Sequence, residues 1–178
     1  GECIMEDLAF NTPSGQNIDR EKLVAYLNTG ASSASPTWSP MGTYVDDSSM
    51  EYDWQTDSTK DIRGITRNTM KKPVVTQPFD TSKLDAGDPA IVKIWNLAVK
   101  EHNAAALASQ EMLIVHAYAG TENTAVFAER YSACMIEPTG LGGEGGGVLG
   151  LPINVTYGGT RTTGTAAISG GTVTFTED

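Results

Sequence analysis

The stretch TGLGGEGGGVLGLP, residues 139–152, contains a G-x-G-x-x-G at Gly140, Gly142 and Gly145. In a nucleotide-binding α/β fold that pattern follows a strand and opens a helix, whose N-terminal N–H groups then meet a pyrophosphate. A strand pattern, TAVFAERYSACMIEP, does precede it. The segment after it is VLGLPINVTY, β-branched and interrupted by Pro152, and not a helix. Nor does an acidic residue stand about twenty positions on, in a helix-to-strand setting, to meet a ribose. The run therefore reads as a flexible loop between two strands, its glycines giving slack or letting another backbone come close. The fold this implies is β-rich.

Working outward, EMLIVHAYAG pairs by pattern with the strand before the loop, across a turn at Gly120–Asn123. After the loop, Gly158-Gly159 and Gly170-Gly171 punctuate a β-branched segment that predicts a C-terminal meander. Upstream stands the one confident helix, DAGDPAIVKIWNLAVKEHN, predicted over about 88–101. Asp88 is a suitable N-cap and Pro89 fits the first helical position. Ile91, Ile94, Trp95 and Ala98 recur at i, i+3, i+4 and i+7, an apolar stripe that a sheet must cover, which makes Ile91, Ile94 and Trp95 expected core. Lys100 and His102 stand near its C-terminal end, where cations suit the dipole.

From Thr43, the residues Tyr44, Met50, Tyr52 and Trp54 approximate a period of two, as in half-buried strands, and Trp54 is expected in the core. Charges here are segregated. Asp46, Asp47, Glu51, Asp53 and Asp57 come first, then Lys60, Arg63, Arg67, Lys71 and Lys72. Two solvated strands with cross-strand charge pairs would account for this. The sharper reading is a subunit interface, in which Asp53 and Asp57 of one copy meet Lys60, Arg63, Arg67, Lys71 and Lys72 of another. Residues 1–40 are polar and broken by Pro13, Pro36 and Pro40; only IDREKLVAYLN has helical spacing, through Ile18, Leu23 and Leu27. They read as an N-terminal arm before a single β-rich domain at 41–178.

Composition narrows the function. The chain has 178 residues, 39% of them hydrophobic, enough for one core of ordinary size. A net charge of −10 argues against tight nucleic-acid binding. No apolar run approaches the roughly 20 residues of a membrane span. The opening GECIMEDLAF lacks the basic and apolar regions of a leader, and Asn154-Val155-Thr156 is a formal glycosylation sequon. Cys3 and Cys134 are too few for a disulfide framework and read as free thiols. A zinc site from Cys3, His102, His116 and Cys134 lacks a close ligand pair, and His116 in LIVHAYA reads as a satisfied sheet residue. No nucleophile, phosphate-loop or metalloprotease pattern is present, so no enzyme, cofactor or metal is expected.

The order of parts resembles the major tail tube proteins of long-tailed bacteriophages and prophages. The likeness rests on DIRGIT, PFD, the aspartate-capped helix with Trp95, and the closing GTVTFT, and it runs from about Tyr44 to the C-terminus. The resemblance implies a mainly β fold, a β-sandwich or partly closed barrel flanked by one amphipathic helix. It implies subunits that assemble, as hexameric rings, into a stacked hollow tube in the virion tail, after synthesis in the bacterial host cytoplasm. Expected partners are sister copies and other tail proteins such as the tape measure and the initiator. DNA passes through such a tube without specific binding, which suits an acidic wall. A different class, a secreted bacterial Ig-like or carbohydrate-binding β-sandwich, would use Tyr44, Tyr52 and Trp54 as a sugar platform, and the mid-chain helix counts against it.

Overall fold

Long antiparallel pairings, with the helix as a lid on one face, organise the chain. The computed structural model describes residues 7–30 and 32–178. A 3-10 turn at Arg20–Lys22 opens β1 (Leu23–Asn28), followed by β2 (Trp38–Pro40), β3 (Glu51–Asp53), β4 (Asp57–Lys60), β5 (Thr66–Thr69) and β6 (Val74–Lys83). Helix α1 (Pro89–Trp95) runs into a π turn at Asn96–Lys100 and a short α2 (Ala104–Leu107). The long strands β7 (Gln110–Thr121) and β8 (Ala125–Pro138) precede β9 (Gly150–Thr156), β10 (Arg161–Ser169) and β11 (Thr172–Glu177).

The main sheet runs β2-β1-β7-β8-β9-β6-β3, with β10 and β11 attached to β8. Strand β8 decides this layout. One of its edges pairs with β7; along the other, Val126–Tyr131 pairs with β10, and Met135–Pro138 pairs with β9. Because β8 is 14 residues long, it serves two sheets in turn, and they diverge beyond Tyr131. The result is mainly β and open, a sandwich-like fold with edges at β2, β3 and β11. The predicted meander is thereby corrected: β10 and β11 form a hairpin, but β9 crosses to β10 without pairing with it, since β8 offers each a separate stretch.

Met112, Leu113, Ile114 and Val115 of β7 are each at most 1% exposed. Both faces of β7 are covered, so the apolar run is continuous where a half-buried strand would alternate. On one face Ile114 and Met112 join Leu27, Phe79, Ile153 and Val155 beneath α1; on the other Leu113 and Val115 pack with Val126, Ala128 and Ala166. Asp88 Oδ1 accepts the Ala90 N–H at 3.2 Å, capping α1, and the helical segment ends where His102 turns left-handed at φ 49°. Asn103 then caps α2, accepting from Ala106 N at 3.1 Å, so the alanine-rich stretch forms its own short turn.

Several expectations are corrected. Ala90, Ile91 and Ile94 face the core, whereas Trp95 is half-buried, because it stands one residue, about 100°, round the helix from Ile94. Residues 23–40 are not an arm. Leu23–Asn28 forms β1, paired between β2 and β7 in the main sheet, where Ala25 and Leu27 are buried, because the Leu23/Leu27 spacing that suits a helix also leaves Ala25 and Leu27 on one face of a strand. The glycine run lies at the tip of the β8–β9 hairpin. Gly142 and Gly150 exchange N–H···O bonds of 3.1 and 2.7 Å, and a Cβ on Gly143 would stand 2.3 Å from the Val148 carbonyl oxygen. Glycine is thus required there by close backbone approach.

Candidate assembly surface

Between β3 and β6 the chain leaves the sheet as a ribbon. Strands β4 and β5 pair with each other, from Asp57 opposite Thr69 to Lys60 opposite Thr66, and all their residues are exposed. The Lys71 N–H donates to the Trp54 carbonyl at 2.9 Å and closes the base. At the tip, Asp61 Oδ1 accepts the N–H groups of Arg63 and Ile65 at 2.8 and 3.1 Å, while Gly64 takes φ 82°. A two-stranded ribbon with no layer beneath it is marginal in water. It nonetheless displays Ile62 in full, Met70 at 62% and Ile65 at 47% exposure. Covering one such side chain is worth about 1.5–3 kcal/mol, a gain left unrealised in the single copy.

Of the residues read from sequence, Asp53 ends β3 and accepts the Gln55 N–H, Asp57 and Lys60 bound β4, and Arg67 sits in β5. Arg63 is in the tip, and Lys71 and Lys72 lie in the return to β6. The register opposes Asp57 and Lys60 to threonines, so the cross-strand charge pairs do not form. Arg67 instead bonds Asp61, and that guanidinium, with the Ile65 and Arg63 N–H groups, holds the Asp61 carboxyl below its usual range. The acidic block is dispersed, with Asp46 beside β1, Asp47 bridging to Asp80, and Glu51 and Asp53 on β3. The ribbon and its return to β6 therefore carry five cations against Asp57 and Asp61, a basic projection on an acidic chain.

Trp54 is not core. It is 44% exposed at the ribbon base, because β3 is an edge strand whose face no layer covers. Its ring lies parallel to Tyr52, 6.1 Å away, at the mouth of a cleft of about 630 Å³ where the two sheets diverge. In the cleft wall, buried Glu129 accepts from Arg161 Nε at 2.6 Å and pairs with His116 Nε2 at 2.8 Å, while His116 Nδ1 meets the Tyr118 hydroxyl at 2.7 Å. A hydroxyl, an imidazole and a carboxylate in line resemble a nucleophile relay. The electrostatics oppose that use, since burial and the Glu129 charge push the Tyr118 hydroxyl up, the reverse of activation. For Glu129, burial acts upward, but hydrogen bonds and charge from His116 and Arg161 outweigh it and hold the carboxyl below its ordinary range.

Cys134 is a buried free thiol pushed up to about 12 by burial, and Cys3 lies outside the described residues, with the pairing and zinc readings that involve it. Among the described residues no three His, Cys, Asp or Glu side chains gather as a metal site, and no helix is long and apolar enough to cross a membrane. Sequence reading missed Ile62 and Ile65, whose signal was two isoleucines inside a polar, glycine-bearing turn. It also missed Glu129 and Arg161, 32 positions apart and joined only by the β8–β10 pairing.

No protein-family model and no curated protein matches the sequence. Solved structures do match. The sheath/tube terminator of an extracellular contractile injection system, PVC, aligns in its extended state at 10% identity with a TM-score of 0.51, over 85% of this chain and 99% of that one. A chain of the PVC sheath–tube complex aligns at 11% identity over 84% and 93%, TM-score 0.49. The tube-terminating cap of the anti-feeding prophage aligns at 12% over 90% and 97%, TM-score 0.49. The chain thus shares the fold of the terminator.

Proposed function

We propose that this chain is a structural subunit of a phage-type tail, assembling with copies of itself into rings that stack as a tube. The observation that carries the reading is the ribbon at 55–71, a basic projection whose exposed apolar side chains join neither core cluster among the described residues. Open edges at β2, β3 and β11 support it, since an unpaired edge is satisfied when a neighbour adds a strand. The shared terminator fold supports it too. A chain of net charge −10 suits a conduit along which DNA passes without adhering. Its place would be the virion tail, with tape-measure and initiator proteins as further partners.

Electron microscopy of the concentrated chain tests this. Stacked tubes are expected; closed rings that never stack would indicate a terminating cap instead. Particles that stay monomeric at millimolar concentration would overturn the assembly reading. A second reading, a carbohydrate-binding module, is favoured by one feature, the exposed parallel rings of Tyr52 and Trp54 beside the cleft. Binding on a glycan array that Trp54→Ala abolishes would select it.

A further inference from the structure

We infer that the ribbon tip of one copy seats in a cavity beside β1 of the next copy. This rests on the assembly of copies into rings and names the receiving site within it. The cavity, about 800 Å³, has Val24, Met41 and Phe79 among its apolar lining and Asp19, Glu21 and Asp46 as its carboxylates. Arg20 also stands there, held by the Leu23 and Ser48 carbonyls at 2.7 Å each, and its one positive charge against three carboxylates leaves the mouth net negative. The tip presents the converse. Ile62 and Ile65 are apolar and exposed, and Lys60 and Arg63 on either side have no ion-pair partner among the described residues. Isoleucines would enter the apolar part while the cations meet the carboxylates, a match of both hydrophobicity and sign.

Two other hollows fit worse. The groove of Leu84, Ile91, Val92 and Trp95 measures about 230 Å³ and has one carboxylate, Asp85, so it is small for a turn bearing two isoleucines. The Tyr52–Trp54 cleft has Glu129 already paired with Arg161, which leaves Lys72 to repel the tip. Tip and cavity are different surfaces of the same chain, so their union is heterologous and repeats from copy to copy, closing as a ring or extending as a stack.

Charge exchange between two variants tests the pairing. One carries Lys60→Glu and Arg63→Glu in the tip; the other carries Glu21→Lys and Asp46→Lys in the cavity. All four positions are exposed, and unchanged melting temperatures establish that both variants fold. In sedimentation velocity and electron microscopy, each variant alone is expected to need at least about tenfold more protein to assemble than the unaltered chain. An equimolar mixture should recover, because the reversed tip finds the reversed cavity and the native tip finds the native one. A cavity variant that assembles normally while the tip variant fails would overturn this receiving site and leave the assembly reading standing, as would failure of the mixture. An unaltered chain that never assembles would overturn both.

Discussion

The β7–β8 hairpin and the β4–β5 ribbon are the same device, two antiparallel strands joined by a short turn, in opposite surroundings. In β7–β8, Met112, Ile114, Tyr131 and Ile136 are buried in one core cluster, and Leu113, Val115, Val126 and Ala128 in the other. In β4–β5 every residue is exposed, and the apolar side chains of the ribbon, Ile62, Ile65 and Met70, join neither core cluster among the described residues. Pairing alone therefore says little about where stability resides. The first hairpin holds the fold together, and the second is carried by it.

Truncation should expose the contrast most strongly. Ile114→Ala, at a position with 0% exposure, is expected to cost about 3 kcal/mol and to lower the melting temperature by roughly 10 °C. A drop of less than about 2 °C in a thermal melt would show that β7 is not held by the packing of its two faces.

Charge gives a second, smaller contrast, because the Glu129–Arg161 pair is buried on the acid side and Asp61–Arg67 is exposed. Glu129→Gln leaves Arg161 without its counter-ion, but that guanidinium is half exposed and water can solvate it, so the change should cost on the order of 1 kcal/mol near pH 7. The folded-state pKa of Glu129 lies below its ordinary value, so this contribution is complete above about pH 4.3. It is lost as the pH falls through the folded value. The melting temperatures of the native and variant chains should accordingly converge in acid. His116, Arg161, Tyr118 and Tyr131 surround the carboxylate, and a gap that persists at pH 3 would assign the loss to packing instead. Asp61→Asn, on the exposed pair, should leave the melt unchanged at either pH.

How much the sequence could say about these regions depends on how local each signal is. The Asp88 cap, Pro89 and the Ile91–Ile94 spacing lie within one helix, and the apolar run of β7 lies within one strand, so both were legible. Strand β1 was misread because Leu23 and Leu27 fit either periodicity, and only its pairing with β7 chooses between them. Trp54 was misplaced for a related reason. Alternation tells which face a side chain takes, but not whether another layer covers that face. The interface reading recognised the basic residues of the ribbon and not its apolar tip, since Ile62 and Ile65 count as core by composition. Their exposure is a property of the whole fold.

Removal of the ribbon itself should also disturb stability little, and it is the most discriminating change. Lys71 already hydrogen-bonds Trp54 at the ribbon base, so residues 55–70 can be replaced by Asn-Gly, whose type I′ turn suits a two-residue hairpin connection. Nothing buried is lost, because 55–70 contributes no side chain to either core cluster. The shorter loop also costs slightly less entropy to close. The melting temperature should therefore move by no more than about 3 °C, while self-assembly disappears. A large loss of stability would mean that the ribbon packs on its own copy in solution. Assembly at the native concentration would mean that the contacts between copies run through the open edges of β2, β3 and β11, without it.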